Sequence, residues 1–480
     1  MKIFGIYKFA ILVAIGLQVV QAQFLEDALR YSQLGLGVGA REIGMGNATV
    51  GGVNNYSALF WNPAGLALES NIEFSFGLSG LYCTDDVSYI GTNKISNNNV
   101  MNLSNLGLVY SIPIEQGNFT YALGYNRTAN YYTKAAISAF NPFSSYSQNT
   151  CLLQQQLDYN IPYQLRLASA DTLGHIIPIL NGNILQAINS IEGGGLNHWS
   201  IGIAWDIKKN LSIGISLNYV TGSYSYNQTI TESDTGNFYQ DFLHREDFSR
   251  FNYEYTVNDE IRGFNALFGL MFRKPGSYSI GFAIRTKTSY DISETFTEKA
   301  SSQFKTPDSL GQSSYSYPLT SHSSKYKVTT PYTFSGGISI HPFDWLTFAS
   351  DIEYTDWTQM ELKMEESNVS EQNTRIKNEL QATTNFRGGG EILLWDTGLK
   401  LRCGIIYNQS PWKEDSISRN QVYYTAGIGY MLDEKTTLDI AYAYGSWKTL
   451  RNSTANSRYI SGIEETIITR NFILTFSSRL

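Results

Sequence analysis

The sequence predicts an all-β fold, a transmembrane antiparallel β-barrel of about fourteen strands. Three observations predict it. Short segments alternate apolar and polar residues with a period of two, the pattern of a strand with unlike faces. They come in pairs closed by very short turns, and longer polar inserts separate one pair from the next. The composition is rich in Gly (41), Tyr (33) and Phe (25) but only 16% charged, which fits a strand wall better than an α/β enzyme. A slightly negative mean hydropathy is expected of such a wall, because every second residue is polar.

The chain opens with a segment outside the fold. Met1, Lys2 and Lys8 supply positive charge, Phe9 to Leu17 is an apolar run, and Val20-Gln21-Ala22 is a small-residue cleavage site. Residues 1–22 therefore read as a secretory signal peptide. The run is far shorter than the roughly 20 apolar residues of a membrane-spanning helix.

Residues 23–70 do not alternate. Phe24 to Gln33 suits a short helix. The stretch Gly39-Ala40-Arg41 and Gly44-Met45-Gly46 suits compact irregular structure, since glycine tolerates tight turns. Pro63 drives Asn62 towards an extended backbone, and Gly65 suits a reversal behind it. No strand–loop–helix unit or Lys-Ser/Thr pair makes these glycines a phosphate loop.

From 71 to 480 the strands follow in order. Asn71 to Leu81 stands alone. Leu106 to Ile112 pairs with Phe119 to Tyr125, and Trp199 to Ile207 with Leu211 to Val220 around Lys208-Lys209-Asn210. Phe264 to Phe272 and Tyr278 to Ile284 flank Lys274-Pro275-Gly276, a turn signal. Phe334 to Ile340 pairs with Leu346 to Tyr354, Thr384 to Leu394 with Leu399 to Tyr407, and Val422 to Tyr430 with Leu438 to Tyr444. Ile467 to Leu480 ends the chain. Long inserts on one side and short turns on the other fit a barrel in a bacterial outer membrane, its loops outside and its turns in the periplasm. Gly, Ser, Ala, Asn and Asp hold one phase of the strands and would face inward. Ile, Leu, Phe, Tyr and Trp hold the other and would face lipid, with Trp199, Trp205, Tyr219, Tyr354, Tyr407 and Tyr430 at the two interfaces.

Several function classes find no support. A net charge of −7 offers no basic footprint for nucleic acid. The histidines (His175, His198, His244, His322, His341) lack metal-ligand spacing. No G-x-S-x-G elbow is present, and Asp85-Asp86 and Glu365-Glu366 read as solvated loop surface. No catalytic residue, metal or cofactor is predicted. Cys83 and Cys151 fall in inserts on one side, where a disulfide is open to them, and Cys403 lies mid-strand.

The matching residues Gly39, Ala40, Arg41, Gly44, Met45, Gly46, Ala48, Ser57, Ala58, Asn62, Pro63, Ala64, Gly65 and Leu66 give the N-terminal segment a resemblance to the FadL/TodX family of outer-membrane transporters for hydrophobic compounds. Pro331 to Trp357, with Gly337, Asp344, Asp351, Tyr354 and Trp357, looks like the family's C-terminal half. The resemblance implies that residues 23–70 form a hatch in the lumen of the barrel and that Asn62, Pro63, Ala64 and Gly65 sit at a gate. It implies lateral release through the wall near the third strand. It also implies a hydrophobic cargo, a fatty acid or a hydrocarbon, taken up passively by a monomer in contact with outer-membrane lipid. Some barrels of this kind instead bind a protein in secretion or surface attachment. Ile177, Leu180, Ile184, Ile188 and Ile191, spaced by three and four, predict a helix in the largest insert. That apolar face suits either capture of the cargo or packing onto other loops.

Overall fold

The computed structural model describes residues 23–480, apart from 116, 154–155, 240–246, 365–368, 395–396, 415–418 and 452–462. The predicted signal peptide, His244, Glu365 and Glu366 lie outside the described residues.

Fourteen strands close into a ring, each antiparallel to its neighbours. They are β1 (Glu73–Tyr89), β2 (Thr92–Ile114), β3 (Gly117–Asn130), β4 (Ile184–Lys208), β5 (Leu211–Ser233), β6 (Phe248–Lys274) and β7 (Tyr278–Arg285). Then come β8 (Thr333–Phe343), β9 (Leu346–Asp356), β10 (Ala382–Leu394), β11 (Leu399–Asn408), β12 (Gln421–Met431), β13 (Thr436–Arg451) and β14 (Ile463–Arg479). β14 returns to β1 from Glu73↔Arg479 to Ser88↔Glu464, which leaves no free edge in the ring.

Each predicted strand is found, and the faces fall as the alternation requires. The apolar phase points outward: Leu108, Leu123, Ile201, Phe268, Phe282, Ile352, Ile428 and Phe472 are all exposed, in the manner of a lipid-facing wall. The inward phase is polar or small, with Thr120, Asn126, Ser212, Ser216 and Asn218 buried.

The strands are longer than predicted. A tilted strand crosses a bilayer in roughly 9–11 residues, whereas β4, β5 and β6 have 25, 23 and 27. On β6 the outward residues change from Phe264 to the well-exposed, charged Arg262 and Glu260, which marks the outer edge of the apolar band. Much of what reads as polar insert is therefore strand extending beyond the membrane. Asp85 is a case in point: it lies on β1 and is buried rather than in a solvated loop. Cys83 is on the same strand, and Cys83, Cys151 and Cys403 are all free thiols, so no Cys83–Cys151 disulfide forms.

The sheet branches outside the membrane. β6 pairs with β7 only from Leu267 to Lys274, and above that with strand Ser289–Phe304. That strand pairs in turn with Ser314–Thr329. Strand Thr133–Asn141 joins the upper half of β4. The predicted helix over 177–191 is absent: Ile176–Pro178 and Ile184–Lys208 are strands. The three-and-four spacing coincides there with a longer period-two run (Ile184, Gln186, Ile188, Ser190), which β5 and Thr133–Asn141 hold in register. Leu180, Ile184 and Ile188 are buried in the core of the outer extension, while Ile177 is half exposed.

Candidate functional site

The segment 23–70 runs inside the ring of strands. It begins as helix α1 (Gln23–Ser32), as predicted, and continues through two short helices, Ala40–Gly44 and Ala58–Trp61, to the 3-10 turn Pro63–Leu68. Most of its residues from Ala40 to Ala67 are buried.

Four cross-strand glycine pairs in the wall receive it. Gly389 and Gly404 face each other on β10 and β11, Gly281 and Gly337 on β7 and β8, Gly214 and Gly269 on β5 and β6, and Gly107 and Gly124 on β2 and β3. The first three pairs receive backbone, joined at Gly269 by the Asn62 amide, whose oxygen would lie 2.1 Å from a Cβ there. A Cβ on Gly389 would lie 2.1 Å from the carbonyl oxygen of Met45, one on Gly281 1.9 Å from that of Val50, and one on Gly214 2.4 Å from the carbonyl carbon of Pro63. The fourth pair receives a side chain. The ring of Tyr56 fills it, 1.7 Å from a Cβ on Gly107, and its hydroxyl lies 3.0 Å from the Tyr125 carbonyl and 3.2 Å from that of Leu106.

The motif residues take definite places around these seats. Gly39 has a φ of 91°, a left-handed conformation natural to glycine, and turns the chain into Arg41. Arg41 pairs with Glu391 on β10 at 3.3 Å and donates to Asn54 at 2.8 Å. Glu391 also binds the buried Arg402, which binds Asp439, both at 2.6 Å. A Cβ on Gly44 would lie 3.1 Å from the Cα of Gly427 on β12, and Gly46, with a φ of 64°, lies against β10 and β11. Met45 is buried. Asp351 of β9 accepts from the backbone N–H of Thr49 and Val50, at 2.6 and 2.8 Å.

Asn62 is extended, as the proline behind it demands. Its side chain caps the following turn by accepting from Ala64 N at 3.2 Å, and donates to the Val50 carbonyl at 2.7 Å. Gly65 serves close approach rather than reversal, since a Cβ there would lie 2.2 Å from the Val53 carbonyl oxygen. Asn62, Pro63, Ala64 and Gly65 are all buried. They and the Arg41–Gly46 stretch are thus brought together in one segment against the wall, while Leu180, Ile184 and Ile188 belong to a separate core outside the membrane.

The chain matches the model of the outer membrane transport protein family (OMPP1/FadL/TodX) over residues 196–470. The chain belongs to the FadL/TodX family. No curated protein sequence matches it. Three solved structures share its fold. The Pseudomonas putida toluene transporter TodX is 14% identical with a TM-score of 0.55, over 92% of this chain and 99% of that one. The Ralstonia pickettii toluene transporter TbuX is 15% identical at 0.51, over 92% and 98%. A Pseudomonas aeruginosa FadL homologue is 13% identical at 0.52, over 90% and 96%. The protein is accordingly an outer-membrane barrel of the bacterial cell, in a transport family and not an enzyme family.

Sequence reasoning passed over several residues of this FadL/TodX-family site. Tyr56 lies in the motif region but carried no role. Above it, Arg285 of β7 lies 5.0 Å over the Phe60 ring and donates to the Phe60 carbonyl, and Arg387 of β10 lies 5.3 Å over the Trp61 ring. Arg387 also pairs with Glu353 at 2.9 Å. His198 is buried beside Phe60. One signal was available: charged residues in the inward phase of a membrane strand are costly and need partners there.

Proposed function

We propose that this chain is a passive outer-membrane channel for a hydrophobic small molecule, that residues 23–70 act as its hatch, and that Tyr56 closes a lateral exit between β2 and β3. One observation carries the reading: of the four glycine pairs that seat the segment, only the pair on β2 and β3 is filled by a side chain alone, with none of the segment's backbone against it. A side chain can swing out of a seat without moving the backbone that three other seats hold. Two further features support an exit there. The β2–β3 ladder ends at Asn105↔Asn126, just above the Gly107↔Gly124 pair, and the outward neighbours Leu106, Leu108 and Leu123 are apolar. An apolar molecule leaving by this path avoids water, at about 0.8 kcal/mol for each methylene kept buried.

The cargo we favour is an amphiphilic acid such as a long-chain fatty acid. The guanidiniums of Arg285 and Arg387, resting on Phe60 and Trp61 next to Asn62, suit a carboxylate with an apolar tail. Solved relatives are described as toluene transporters, so a neutral hydrocarbon is the competing cargo. Native mass spectrometry of the purified protein with its co-extracted lipids distinguishes the two. Deleting Gln23 to Leu68 tests the hatch: planar-bilayer conductance should rise well above that of the intact chain, and unchanged conductance would remove the hatch from the reading. A role in binding a secreted protein draws on strand Ser314–Thr329, most of which is exposed outside the membrane. Stable co-purification with such a protein would favour it.

A further inference from the structure

Helix α1 lies above the apolar band, level with residues 257–261 of β6, where the outward wall is already charged. Leu25, Ala28, Leu29 and Tyr31 give it an apolar buried face. That face also carries Asp27, which is 7% exposed. Arg30 pairs with Asp27, stands 3.9 Å from Glu192 of β4, and lies 4.4 Å over the ring of Tyr224. Tyr31 donates to Asp259 of β6. Asp259 sits directly opposite Glu294 in the ladder with strand Ser289–Phe304, and both are buried. The second carboxyl oxygen of Asp259, Oδ1, is buried without a hydrogen-bond partner.

Four carboxyls, Asp27, Glu192, Asp259 and Glu294, thus gather around α1, and one guanidinium, that of Arg30, stands beside the first two. The other groups facing the helix do not restore the balance. Tyr131, Tyr224, Tyr290 and Tyr326 line the same core, and burial raises their pKa values, which keeps them neutral. Tyr226 packs there too, and its hydroxyl accepts from Gln228. Arg127 is held by Asn130, Asn197 and the Gly194 carbonyl. On helix Ser370–Glu379, next to α1, Arg375 is paired with Glu379. Two like charges directly opposite each other on a sheet repel, and in a dry core the cheapest neutralisation is a proton.

We propose that α1 is a pH-operated latch in the outer part of the lumen, docked while Asp27, Asp259 and Glu294 hold protons and released as they ionise. Burial pushes Asp27 up to about 6 against the pull of Arg30, Asp259 up to about 7 against the hydrogen bond from Tyr31, and Glu294 up to about 8. A carboxyl whose pKa is raised by docking stabilises the docked helix fully below its free value. That contribution is lost as the pH climbs through the raised value. Release is therefore an alkaline event, falling between about pH 6 and pH 8. The docked-to-free ratio drops by up to about tenfold per pH unit for each carboxyl that ionises.

The test uses the full mature chain in detergent, with Cys83, Cys151 and Cys403 replaced by serine and a nitroxide attached through Gln33→Cys. The label should be immobile at pH 5 and mobile at pH 9. The pair Asp259→Asn with Glu294→Gln should leave a clearly larger immobile fraction at pH 9 than the parent has, because only Asp27, beside Arg30, still ionises. Equal mobility at both pH values, or a double variant that titrates like its parent, overturns the latch. If the double variant loses its heat-modifiable gel mobility, hydrogen exchange of the α1 amides in the unsubstituted chain decides. After correction for base catalysis, protection lost between pH 6 and 8 supports the latch, and protection equal at pH 5 and 9 overturns it. None of these readings depends on cargo or on uptake.

Discussion

Tyr56 occupies the volume that any side chain at Gly107 would need. A Cβ at Gly107 would stand 1.7 Å from the Tyr56 ring, far inside contact distance. The two residues belong to different parts of the protein, one to the N-terminal segment and one to the barrel wall, and each explains the other.

Gly107→Ala should therefore expel the Tyr56 ring while leaving the strand intact, because overpacking of this kind costs about 1–3 kcal/mol. Conductance in planar bilayers should rise, with heat-modifiable gel mobility unchanged. Gly80→Ala on β1, where a Cβ meets nothing within 4 Å, is the control and should conduct as the parent does. Equal conductance in both would detach Tyr56 from any gating role.

Arg402 and Arg41 share Glu391 but not the consequences of removal. Arg402→Ala leaves Asp439 buried without its ion-pair partner and Glu391 with Arg41 alone, a change worth about 3–5 kcal/mol. Arg41→Ala leaves Glu391 still paired with Arg402 and should cost about 1–2 kcal/mol. Thermal unfolding in detergent should rank Arg402→Ala well below Arg41→Ala. The reverse order would mean that the segment, rather than the wall, holds this network together.

Asp351→Ala removes the acceptor of two backbone N–H groups, at Thr49 and Val50, and should loosen the segment without unfolding the ring. Limited proteolysis should then cut between about residues 45 and 60 in the variant and not in the parent, while the barrel fragment stays resistant.

Ala64 has no room to grow: it is fully buried, and its N–H lies 2.8 Å from where Gly269 would carry a Cβ. Ala64→Leu should lower uptake of a labelled fatty acid several-fold with barrel assembly preserved. Normal uptake would take Asn62, Pro63, Ala64 and Gly65 out of the gate.

The thiols give a direct check on the fold. Cys83 and Cys151 are buried and free, and burial raises Cys151 to about 11, where it is unreactive at neutral pH. A water-soluble maleimide should leave both unlabelled until the chain is denatured. Gel mobility should be the same with and without reductant.

Alternation determined the strands. Ile201, Ser200 and Gly202 belong on opposite faces of any pleated strand, so the outward greasy wall and its strand number could be read before any pairing was known. The N-terminal motif was equally legible, since Gly39 opens a left-handed turn to the backbone and Pro63 restricts its own conformation and that of Asn62. The ends of the strands were not legible. Polar residues such as Asn97 and Thr229 pair in ladders outside the membrane, where both faces meet water or protein and no alternation marks them. For the same reason a strand through Ile184 and Ile188 matched a helical spacing by coincidence. What the tertiary structure decided is register. A glycine in the inward phase is unremarkable alone. Only the offset between neighbouring strands sets Gly107 against Gly124 and Asp259 against Glu294, because hydrogen bonding along a ladder fixes partners that are distant in the chain. The seats for the segment and the carboxyl cluster above it exist through that offset.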